Sequence, residues 1–65
     1  MILDIVVLDY SCHEVFRYMQ QKFETGDSDE VEEWLRNSTD HQLSNCSWMS
    51  AKHIFINEFY GEPSS

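Results

Sequence analysis

The chain has 65 residues and carries 12 acidic side chains against 4 Lys and Arg, a formal charge of −8. That length holds one domain, which buries only about 60% of its unfolded surface. A paired Rossmann unit, a barrel or an immunoglobulin-type sandwich is too large to fit, and an enzyme with its own cofactor domain is not expected. Hydrophobic residues at 42% and aromatics at 14% are too many for a disordered acidic tail, so a packed core is expected.

Residues 2–8 (Ile-Leu-Asp-Ile-Val-Val-Leu) are rich in β-branched types and free of turn formers, and read as a strand. Residues 9–13 are polar and read as a turn. Residues 14–23 fit two patterns. As a helix, Ser11 and Glu14 make a capping box, and Val15, Met19 and Phe23 line one face with Phe16 beside them. As a strand, Phe16, Tyr18 and Gln20 face one way and Val15, Arg17, Met19 and Gln21 the other. The short preceding loop favours a hairpin with residues 2–8, so the strand is preferred.

Residues 24–28 break the pattern. Asp27 and Glu30 have capping-box spacing, and Asp29, Glu30, Glu32 and Glu33 crowd the first turns, where the helix dipole favours negative charge. Val31, Trp34 and Leu35 form an apolar stripe. This predicts a helix over about 28–37, stopped by Asn37-Ser38-Thr39-Asp40. Residues 41–47 read as loop, 47–51 as a short strand, and 53–60 as a last strand. Residues 61–65 read as a flexible tail behind a single domain over 1–60. The expected fold is α+β: a small β-β-α-β-β domain with one helix packed on an antiparallel or mixed sheet. The helical reading of 14–23 gives β-α-α-β-β instead. The face of the sheet away from the helix then needs small polar residues, a partner, or a second copy of the chain.

No Lys or Arg precedes the N-terminal apolar run, and Asp4 and Asp9 interrupt it, so it does not read as a signal peptide or membrane span. A cytoplasmic setting is expected, with Cys12 and Cys46 as reduced thiols. The sequons at Asn37 and Asn45 then reflect only polar loop composition.

Candidate metal ligands are Cys12, His13, His41, Cys46 and His53, but no paired ligand spacing occurs among them. Zinc requires the fold to gather Cys12, His41, Cys46 and His53, and no metal or cofactor is expected. A nucleophilic pair of Cys46 and His53, oriented by Asp40 or Asn57, has no supporting local motif. With only two glycines there is little to cradle a phosphate. The chain is therefore read as non-enzymatic.

The charge is concentrated. Residues 24–40 hold Glu24, Asp27, Asp29, Glu30, Glu32, Glu33 and Asp40 against Arg36, six of the eight net negatives. Direct contact with nucleic acid or an anionic membrane is disfavoured by that field. Carboxylates spaced along one short helix resemble a phosphate ladder and complement a basic groove. The expected function is an acidic protein-binding module or inhibitor that engages a basic surface, by nucleic-acid mimicry against a nuclease or other DNA- or RNA-binding protein. An origin in a phage or mobile element fits that type. Asp27, Asp29, Glu30, Glu32 and Glu33 are the expected partner-binding residues, with Trp48 and Tyr60 as apolar anchors. The alternatives are a homodimeric or larger structural protein whose acids only solubilise it, and a Cys/His metal-binding module.

Overall fold

The computed structural model describes residues 1–61. Its elements run β1 (Ile2–Asp9), β2 (Glu14–Lys22), α1 (Ser28–Ser38), a 3₁₀ turn (Leu43–Asn45) and β3 (Cys46–Ala51). The fold is α+β: a three-stranded antiparallel sheet in the order β2-β1-β3, with one helix on one face.

Strand β1 is the centre of the sheet because it is apolar on both faces. Leu3, Ile5 and Val7 point to the helix and are buried, and Val6 is buried on the other side. The β1–β2 register runs from Asp9 opposite Glu14 to Ile5 opposite Tyr18, and then shifts. Met19 and Gln20 both face Asp4, which makes a β-bulge. Gln20 takes φ 56° there. Its backbone N–H donates to Asp4 Oδ1 at 3.0 Å, so a buried carboxylate holds the bulge.

Residues 14–22 thus form a strand, and the alternative helix over this segment is not formed. Phe16 and Tyr18 alternate onto the helix-facing side and pack on the core, while Val15 and Met19 stay exposed. The helical stripe of Val15, Met19 and Phe23 is therefore split, and of the three only Phe23 is buried.

Helix α1 starts where the spacing predicts. Asp27 is the N-cap and accepts the Glu30 N–H at 2.9 Å. At the other end the Thr39 N–H and hydroxyl both donate to the Leu35 carbonyl. Val31 and Leu35 are fully buried against Leu3, Ile5 and Val7. Trp34 packs edge-on to Tyr18 and Phe23, with ring centroids 5.4 and 5.9 Å apart. Strand β3 then pairs with the free edge of β1, Cys46 opposite Asp9 and Trp48 opposite Val7.

The expected last strand over residues 53–60 is not formed. Both edges of β1 are already filled by β2 and β3, and this segment pairs with neither outer strand. Only Ile54 is buried, its N–H donating to Asp4 Oδ2 at 3.3 Å. Phe55, Phe59 and Tyr60 beyond it are all more than 80% exposed. Of the expected tail over 61–65, residues 62–65 lie outside the described residues.

Strand alternation puts Val6, Leu8, Val15, Arg17, Met19 and Met49 on the face away from α1. Among the described residues no second layer covers Leu8, Val15 and Met49, which are exposed. No helix of the described chain is long and apolar enough to cross a membrane.

Candidate functional site

The five acidic residues of the expected partner face do not act alike. Asp27 is occupied as the helix N-cap. The Glu30 carboxylate turns back and accepts the N–H groups of Glu24, Thr25 and Gly26 at 2.8, 2.9 and 2.8 Å. These bonds favour the ionised form and lower its pKa to about 2, the Glu24 and Gly26 N–H groups contributing most. Glu32 lies 3.4 Å from Arg36 one turn on, an exposed pair. Asp29 and Glu33 are exposed, stand four residues apart on one stripe, and have no ion-pair partner among the described residues. Of the two expected anchors, Trp48 is half-buried against the core and Tyr60 is exposed.

A second cluster gathers at the opposite end of α1, where β1 ends. Asp9 closes β1 and turns the chain. Its Oδ1 accepts the Ser11 N–H at 3.0 Å and the Ser11 hydroxyl at 2.6 Å, an Asx turn. Its Oδ2 lies 2.8 Å from His41 Nδ1, and His41 Nε2 lies 2.7 Å from the Tyr18 hydroxyl. The Asp9 and His41 side chains are more than nine-tenths buried. The Phe16 ring meets the imidazole edge-on at 4.6 Å between centroids. Tyr10 fixes the loop that carries His41 into β3, its N–H donating to the Asn45 carbonyl and its hydroxyl to Ser47 Oγ.

The electrostatics of the cluster follow from these contacts. The Ser11 hydroxyl, and then His41, hold the Asp9 carboxyl down at about 2 against the opposing effect of burial. Asp9 is therefore ionised at neutral pH and accepts only, so His41 Nδ1 carries a proton. In the neutral imidazole Nε2 then accepts from Tyr18. Burial, with the charges of Asp40 and Asp9, pushes the Tyr18 hydroxyl up. Burial and the Asp9 charge push the Cys46 thiol up as well.

Cys46 joins this group. One ligand atom each from Asp9, His41 and Cys46 lie within 4.8 Å of one another. Of the four residues zinc would have required the fold to gather, His41 and Cys46 come together, and Cys12 is outside the group. His53 follows the far end of β3, about 17 Å along the strand from Cys46. Cys46 and His53 are therefore not a nucleophilic pair, and the raised thiol pKa is opposite to the shift of an activated cysteine. Asp9 takes the place expected for His53. No ligand spacing marks Asp9; its local signal is an acidic residue ending an apolar strand two residues before Ser11.

Comparison of the chain with protein-family models, with curated proteins and with solved structures finds no match.

Proposed function

We propose that the chain is a non-enzymatic acidic module that binds a protein partner through a basic surface. The observation that carries this reading is the pair Asp29 and Glu33. Like charges four residues apart destabilise a helix by a few tenths of a kcal/mol. Asp27, Glu30 and Glu32 are held by hydrogen-bond or ion-pair partners within the chain, whereas these two have no such partner among the described residues. Lys and Arg of a partner would relieve the repulsion. In the finer form of the proposal, that partner surface is a groove that otherwise holds DNA or RNA, and the module acts as an inhibitor by occupying it.

The test compares wild type with the Asp29→Lys, Glu33→Lys double variant as baits in host extract. A basic protein is retained at low salt, released at high salt, and lost with the double variant. Displacement of that protein by an oligonucleotide supports the mimicry form. Retention that survives both charge reversals overturns the reading.

The uncovered sheet face favours a second reading, self-association. Its exposed strand positions include Ile2, Leu8, Val15, Met19 and Met49, with Arg17 and Lys22 as exposed charges. Two copies stacked sheet to sheet would bury these residues and keep both acidic helices outermost. Sedimentation would then give a dimer, and Leu8→Lys with Met49→Lys a monomer. A wild-type monomer at high concentration would remove this reading.

A further inference from the structure

We propose that Asp9, His41 and Cys46 form a binding site for a transition-metal ion of the zinc class, with an oxygen, a nitrogen and a sulfur ligand. The proposal is independent of both readings above.

The first support is placement. Asp9 and Cys46 sit directly opposite each other on the β1–β3 ladder, and His41 is brought to them by the loop after α1. The ligand atoms lie within 4.8 Å of one another before any adjustment. Zinc holds nitrogen and oxygen at about 2.0 Å and sulfur at about 2.3 Å. Tetrahedral binding at those lengths sets ligand atoms roughly 3.3–3.6 Å apart, so side-chain rotation would bring Cys46 Sγ in and part Asp9 Oδ2 from His41 Nδ1.

The second support is orientation. A histidine that binds a metal through one nitrogen is usually fixed by a hydrogen bond at the other. Tyr18 supplies that bond at Nε2, and the Phe16 edge limits rotation of the ring. Asp9 is fixed in the same way, Ser11 holding Oδ1 while Oδ2 faces His41.

The third support is charge. Asp9 Oδ2 and His41 Nδ1 lie 2.8 Å apart, joined in the metal-free protein by the Nδ1 proton. A divalent metal ion replaces it. Cys46 then gives its thiol proton to solvent. The imidazole keeps one proton, now on Nε2, and donates it to the Tyr18 oxygen. One carboxylate and one thiolate balance the two positive charges of the ion. A sulfur–nitrogen–oxygen set suits zinc or cobalt(II) and is a poor match for magnesium or calcium, which prefer oxygen alone.

The test titrates the reduced, metal-free full chain with cobalt(II) and then with zinc. One cobalt ion per chain should bind, with a thiolate-to-cobalt charge-transfer band in the near ultraviolet, and zinc should displace it. Cys46→Ser should remove the band, and Cys12→Ser should keep it. Asp9→Asn and His41→Phe should each weaken zinc binding at least tenfold, with circular dichroism confirming the fold. In wild type, zinc should protect Cys46 from alkylation, a readout that needs no variant to fold. The absence of a charge-transfer band in wild type, a band that survives Cys46→Ser, or alkylation of Cys46 unchanged by zinc would each overturn the proposal.

Discussion

The backbone N–H of Gly26 donates to Glu30 Oε1 at 2.8 Å, so a carboxylate from the first turn of α1 shapes the loop that enters the helix. Glu24 and Thr25 donate to the same side chain. Glu30 is thus part of the fold, and its charge should be visible in how stability depends on pH.

Glu30→Gln should melt below wild type at pH 7. The folded-state pKa of about 2 lies below the ordinary 4.5, so the charge contributes stability that is complete above pH 4.5. That contribution is lost as pH falls from 4.5 towards 2. The difference in melting temperature between the two proteins should therefore shrink over that window. Thermal melts at a series of pH values measure it, and a pH-independent difference would show that the charge is not what holds the loop.

Gly26→Ala should cost about 1–2 kcal/mol. Gly26 has φ +73°, and an added Cβ would collide with Met1 Sδ and stand 3.2 Å from Leu3 Cδ1. Urea denaturation reads the loss as a lower midpoint with an unchanged slope.

Asp4→Ala should cost about 2 kcal/mol, because the N–H groups of Gln20 and Ile54 both lose their acceptor. Amide exchange should accelerate at both residues. Asp4→Asn keeps one acceptor oxygen and should cost less.

Gln20→Gly should raise stability by roughly 0.5 kcal/mol, since relief of the left-handed conformation exceeds the added chain entropy. The φ of 56° at the bulge is the reason. Ala at the same site should give no such gain.

Leu35→Ala should remove roughly 3 kcal/mol, a large share of the stability of so short a chain. Leu35 has no exposed surface and sits between Val31 and the β1 side chains. Equilibrium denaturation checks the value.

Local signals were readable in the sequence, and long-range ones were not. Asp27 and Glu30 are three residues apart, so the start of α1 could be placed from spacing alone. The alternation of β2 is interrupted at Met19 and Gln20 by a bulge that depends on Asp4, in another strand. That interruption brings Phe23 to the core side while Val15 and Met19 stay exposed, so the segment has no single unbroken alternation. Residues 53–60 have the composition of a strand, but a strand needs a free edge, and composition does not reveal which edges are taken. The candidate metal cluster was half legible. His41 and Cys46 are recognisable ligand types, yet their meeting with Asp9 depends on the β1–β3 register.

Strand β1 precedes both of its neighbours in the sequence and lies between them in the sheet. The β1–β2 hairpin closes through residues 10–13 and can form quickly. Strand β3 must instead return past the whole helix, the kind of distant closure that slows folding. Until it docks, one edge of an apolar strand stays bare and open to a strand of another chain. The contact between Asp9 and His41 should accordingly form late, and a chain stopped before Cys46 should aggregate rather than remain as a smaller folded unit.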